Sequence, residues 1–188
     1  MEDMLDGCSS LKELNINNFN TYSVYNMSFI FSGCSSLVKL NLNSFNTINV
    51  TYMNDMFNGS LSLKELNLNN FNTNNVTEMK FMFEGCSSLN KLNLNNFNTR
   101  KITDMGWMFS GCSSLKELNI NNFNTNSVDY MCGMFHDCSL LNELNLNNFN
   151  INNVTHIKYM FSGCSDKLIR KIRTQYNIPE EAFELYIK

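Results

Sequence analysis

The sequence predicts an α/β repeat solenoid, with a parallel sheet on one side, short helices on the other and a helical cap at the C-terminal end. Three observations predict it. Cysteine recurs at Cys8, Cys34, Cys86, Cys112, Cys138 and Cys164 on one grid of 26 residues, with Ser60 on the missing rung. Leucine and phenylalanine columns keep the same register, from Leu11 to Leu141, from Leu14 to Leu144 and from Phe19 to Phe149. Within each unit the apolar spacing changes from two to three and four, which separates a strand from a helix. Composition agrees: 188 residues with 43% hydrophobic content bury one ordinary core, while 16% charge, Gly 8 and Pro 1 mark a repetitive bias.

Six complete units stand between Gly7 and Ser162. Leu14 and Ile16, two apart, lie on one face of a short strand, so Glu13, Asn15 and Asn17 and their equivalents face solvent. Val24, Met27 and Phe31 predict a short helix from about residue 24 to 31 in each unit. Ser23, Asn49, Asn75, Ser127 and Asn153 precede the Val column as N-caps, and Glu78 completes a capping box with Asn75. Gly33, Gly59, Gly85, Gly111 and Gly163 supply a left-handed stop, with Asp137 as the exception. One such unit cannot bury its own apolar columns, so neighbours must stack.

The ends divide the chain into a solenoid over residues 1–164 and a cap over 165–188. Met1, Met4 and Leu5 fall in the columns of Met27, Ile30 and Phe31, so the first unit is truncated and uncapped, an end open to end-to-end docking. Beyond Cys164 the grid stops. Ser165 is a plausible N-cap for a helix with Leu168, Ile169, Ile172 and Tyr176 on one face. Pro179, Glu180 and Glu181 then start a last short helix carrying Phe183 and Tyr186. Lys167, Arg170, Lys171 and Arg173 read as the solvated face of that cap.

The run LKELNINNFNTYSVYNMSFIFSGCSS, residues 11–36, resembles the BspA-like branch of the leucine-rich repeats, a 26-residue repeat of mycoplasmal-type surface lipoproteins and protist homologues. The FNT step, the MF dipeptide and the GCSSL turn carry the resemblance over residues 1–164. It implies an adhesion or interaction module at the cell surface or secreted, with no catalytic residues to transfer. Phe19 stands where ordinary leucine-rich repeats place Asn or Cys, so no asparagine ladder is expected there. The N-terminus shows no signal peptide, and free cysteines equally fit the cytoplasm.

Chemistry-bearing constellations are sparse. In-register cysteines run parallel rather than face one another, which favours buried free thiols over disulfides. No CxxC or His partner points to a metal, His136 and His156 sit at different repeat positions, and no phosphate loop or nucleophile elbow occurs. The expectation is no enzyme and no cofactor. Net charge of -3 disfavours nucleic acid, and no apolar run reaches the ~18 residues of a transmembrane segment. Sequons fall at Asn26, Asn49, Asn58, Asn75 and Asn153, three of them N-x-T because a capping Asn precedes Val and Thr, and no glycosylation is expected.

Two surfaces remain as binding candidates. The sheet face carries two asparagine columns, within which Asn41, Asn43, Asn67, Asn69, Asn93, Asn95, Asn119 and Asn121 are the candidate residues. Stacked amides either stabilise the repeat itself or bind a protein or glycan of neutral or mixed charge. Glu13, Lys39, Glu65, Lys91 and Glu117 alternate in sign beside them before Glu143 breaks the rule, and Lys12, Lys64 and Lys116 recur on alternate units, pointing to a duplicated 52-residue unit. On the helical side Phe29, Phe81, Trp107 and Tyr159 share one column, exposed as a ridge if the segment is α-helical and tucked into the next unit if it is wound more tightly. The chain therefore reads as a non-catalytic binding module or, alternatively, as a structural spacer within a longer array.

Overall fold

The computed structural model describes residues 1–186; positions 187 and 188 of the expected cap lie outside the described residues. Each 26-residue turn of chain is one coil, and its Leu, Met and Phe columns bury against the coils above and below. Parallel pairing fixes the register. Strand β1 (Glu13–Leu14) pairs with β2 (Lys39–Leu40), Glu13 opposite Lys39, and β3 (Lys91–Asn93) pairs with β4 (Glu117–Asn119), Lys91 opposite Glu117. The coils of Leu66 and Leu144 keep those leucines buried without forming strand, so the expected one strand per unit holds in four of six. Between the third and fourth coils the contact is stretched, with the Asn90 N–H donating to the Lys64 carbonyl at 3.5 Å.

The helices expected from about Val24 to Phe31 are absent, and tight turns take their place. The N–H groups of Met27, Phe29, Phe31 and Gly33 donate to the carbonyls of Tyr52, Asn54, Met56 and Asn58 on the next coil, where a helix would return them to its own preceding turn. Isolated parallel bridges run Asn26, Tyr52, Glu78, Asp104, Tyr130 and His156 along this side. The reason lies in one column: Phe29, Phe81, Trp107 and Tyr159 have φ of 58°, 57°, 56° and 61°, left-handed backbone that no α-helix tolerates. Spacing of three and four is met equally well by a chain of turns, so the sequence pattern did not separate the two. Gly33 and its equivalents are left-handed as expected, and Asp137 follows them at φ 56°.

The expected N-caps have a different task. Asn49, Asn75 and Asn153 donate their side-chain amides to the carbonyls of Tyr22, Ile48 and Asn126 on the preceding coil, and the Ser127 hydroxyl reaches Arg100 in the same way. Glu78 does not close a capping box; it accepts from Asn54 Nδ2. A stronger staple was not read from sequence. The hydroxyl of buried Thr99 donates to the Asn124 carbonyl at 2.8 Å and accepts from the Asn124 N–H at 2.8 Å, and Thr21, Thr47 and Thr125 repeat this two-way clamp.

Inside, Phe31, Phe57, Phe83, Phe109, Phe135 and Phe161 stack with centroids 5.6 Å apart at every step. Beside them the thiols of Cys34, Cys86, Cys112, Cys138 and Cys164 each donate to a carbonyl of the preceding coil, and the Ser60 hydroxyl makes the same bond. All seven cysteines are free. Burial pushes the Cys86 and Cys164 thiols up to about 12.

The C-terminal segment closes the stack. Helix α1 (Asp166–Gln175) is capped by Ser165, whose hydroxyl accepts from the Leu168 N–H, and it buries Leu168 and Ile172. A 3-10 turn over Glu180–Phe183 then mimics a coil: Glu181 and Ala182 carbonyls accept from the Tyr159 and Phe161 N–H groups, and Phe183 stacks on Phe161 at 5.4 Å.

Candidate binding groove on the sheet side

The strand side presents an open groove of ≈ 1490 Å³ that runs from Glu13 and Leu14 in the first coil to Glu143 and Lys167 at the cap. Of the eight candidate asparagines, Asn41, Asn67, Asn69, Asn93 and Asn119 line it, whereas Asn43, Asn95 and Asn121 lie outside its lining. The first column has a local structural duty that explains asparagine where β propensity is poor. Oδ1 of Asn41, Asn67, Asn93 and Asn119 accepts from the N–H two residues on, at 3.0 to 3.2 Å, which turns the chain after the inward leucine in an Asx turn. Between the two sheet-face asparagine columns, amide-to-amide bonding among the described residues comes to the bond from Asn41 Nδ2 to Asn17 Oδ1 at 3.4 Å. With the carbonyl engaged by the backbone, the carboxamides of the groove-lining Asn67, Asn93 and Asn119 keep their N–H groups as donors for a ligand.

Charges share this lining. Lys91 pairs with Glu117 at 2.6 Å, with both side chains mostly exposed, so the pair adds little stability. Lys171 donates to Glu143 at 2.5 Å, and that hydrogen bond, with the ammonium charge behind it, holds the exposed Glu143 carboxyl below its usual range. Lys39, Lys64, Lys116 and Lys167 also line the groove. From sequence, Lys64 and Lys116 marked only a duplicated 52-residue unit and Lys167 the solvated face of the cap; the recurrence of Lys64 and Lys116 on alternate units was the available signal.

The aromatic column does not form a free ridge. Phe29, Phe81, Trp107 and Tyr159 are half-buried on left-handed turns. Trp107 lies against Gly133 of the next coil, where a Cβ would come within 2.5 Å of its ring. It also meets His136 and Tyr186 at centroid distances of 5.4 and 5.3 Å, and Tyr159 meets Tyr186 at 5.2 Å. His156 stacks on Tyr130 at 4.9 Å. Both histidines are thus packing groups, and among the described residues no cluster of three His, Cys, Asp or Glu has metal-holding geometry. No helix among the described residues is long and apolar enough to cross a membrane.

Stacked coils with leucine columns and a polar groove over the parallel strands define a repeat protein of the leucine-rich type. The family model described as Mycoplasma protein of unknown function, DUF285, matches residues 1–93 and 86–180, and the chain belongs to that family. A comparison with curated proteins gives no match. Similar solved structures include a leucine-rich repeat protein from Bacteroides ovatus (20% identity, TM-score 0.49, 89% of this chain and 40% of that one). They also include the T. pallidum leucine-rich repeat protein (20%, 0.44, 82% and 78%) and a leucine rich cell surface protein from Faecalibacterium prausnitzii (19%, 0.46, 89% and 34%). The chain spans 29% of the leucine-rich repeat protein from Eubacterium ventriosum that it matches.

Proposed function

We propose that this chain is a non-catalytic binding module whose ligand, a protein or a glycan, lies along the sheet-side groove. One observation carries the reading: the groove extends continuously over the coils and gathers amide donors and both signs of charge on a rigid frame. Rigid presentation lowers the ordering cost of binding, and an extended ligand meets the same chemistry at each coil. A second reading, a structural spacer, is favoured by the Asx turns, which give the asparagines a purely local task. Capture of partners by the wild-type chain, against a variant with Asn67, Asn69, Asn93 and Asn95 changed to Ser, separates the two. Loss of a captured partner in the folded variant supports the groove. Retention in that variant with loss in Trp107→Ala moves the site to the turn side, and retention in both leaves the spacer.

A further inference from the structure

We infer that the groove takes a linear acidic polysaccharide in which a charged sugar alternates with an uncharged one. The inference rests on the groove reading above and names its ligand class. In the middle four coils the lining holds Lys39, Lys64, Lys91 and Lys116 against only Glu65 and Glu117, a cationic centre on a chain whose net charge is -3. Lys91 is already paired with Glu117. Lys64 and Lys116 are without an ion pair among the described residues, and they occupy the same place two coils apart, with uncharged Asn90 between them. Coils stacked through parallel strands rise by about 4.8 Å, so these two ammonium groups recur at roughly 10 Å.

The ligand must therefore repeat its negative charge over two coils and offer hydrogen-bond acceptors to the amide donors of Asn67 and Asn93 at every coil. A pyranose is about as long as one coil is thick. A disaccharide then spans two coils, with one carboxylate for each free lysine and hydroxyl and ring oxygens for the amides. An acidic peptide fits less well: residues on one face of an extended chain repeat at about 6.8 Å, out of step with the coils, and the groove floor offers no free strand edge for backbone pairing. Nucleic acid fits worse, because no aromatic side chain lines the groove to stack on bases.

The test is calorimetric titration of the full chain with a hyaluronan decasaccharide, whose uronate alternates with an N-acetylated sugar. A chitin fragment of equal length and a poly-glutamate peptide serve as comparators. The acidic sugar should bind, more weakly at about 200 mM salt than at about 50 mM. The double variant Lys64→Gln, Lys116→Gln should lose about tenfold in affinity and much of the salt dependence, while Lys80→Gln, outside the groove lining, should match wild type. Both lysines are exposed, so the double variant should keep its fold, checked by circular dichroism. Equal binding of the neutral chitin fragment, stronger binding of poly-glutamate, unchanged affinity in the double variant, or no binding of any probe overturns the inference. Should the Asn-to-Ser variant lose its captured partner in that last case, the groove reading stands and only the ligand class falls.

Discussion

Changing Thr99 to Val tests whether coils are held by the threonine clamp or only by apolar burial. The substitution keeps shape and β-branching and removes one oxygen, which both donates to the Asn124 carbonyl and accepts from the Asn124 N–H. Thr99 is fully buried and Asn124 half-buried, so two backbone groups lose their partner where water replaces it poorly. Leaving such a group unsatisfied costs about 1–3 kcal/mol when fully buried, and the half-exposed Asn124 places each loss near the lower end. The added methyl returns about 0.8 kcal/mol, leaving a net loss of about 1–3 kcal/mol. Thr99→Ser keeps the oxygen and should cost about 1 kcal/mol for its missing methyl. Urea denaturation gives the stabilities, and amide hydrogen exchange at Asn124 gives the mechanism. Protection at Asn124 should fall in the Val variant and persist in the Ser variant. A Val variant as stable as wild type, with Asn124 still protected, would refute the clamp.

Four further outcomes are expected. Leu94→Ala, in a fully buried position between coils, should cost ~2–5 kcal/mol, and Asn95→Ala well under that; equal losses by calorimetry would invert the inward and outward columns. Native-state alkylation followed by mass spectrometry should label exposed Cys8 and, more slowly, half-buried Cys132, leaving the five buried thiols untouched until denaturation. The folded Cys86 and Cys164 thiols hold their protons to about 12 while the unfolded chain loses them near 9, so stability is complete below that lower value and declines as pH rises above it. The slope reaches at most roughly 1.4 kcal/mol per pH unit for each such thiol, and Cys86→Ser, copying the Ser60 bond, should flatten it in urea melts between neutral and alkaline pH. Gly133→Ala should drive Trp107, the single tryptophan, off its seat, shifting its fluorescence; an unchanged spectrum would contradict the packing.

The 26-residue grid made the inward columns, the left-handed Gly33 column and the Ser165 cap readable, because burial and backbone sign each impose a residue type at a fixed offset. The turn side was misread for a physical reason. Val24, Met27 and Phe31 face the core equally from a helix or from turns, and only the left-handed φ at Phe29 and its equivalents decides between them. The aromatics themselves give no warning of it, whereas Asp3, Asp55 and Gly133 in the same column, residue types that favour left-handed backbone, were the available signal. Thr99 was visible as part of a recurring FNT step, yet a threonine two residues after a buried phenylalanine does not reveal a partner 25 residues away. The groove was half legible: Asn41, Asn67, Asn93 and Asn119 were picked for exposure, but their Asx turns, and the lysines beside them, emerge only when the coils are stacked.

The pairing of Lys91 with Glu117 across β3 and β4 gives the stack a parity. Removing the coil of Lys39, Glu65 or Lys91 would leave backbone, phenylalanine stack and cap in register, yet it would set lysine against lysine or glutamate against glutamate at the seam. Removing the coils of Lys39 and Glu65 together, or of Glu65 and Lys91, restores opposite neighbours and keeps Lys64-type positions on alternate levels. The fold can therefore lengthen or shorten by single coils, while its charge pattern is conserved only in steps of 52 residues. Among chains of this design, even and odd changes in coil number are different events: the first rescales the groove, and the second rewrites what it repels.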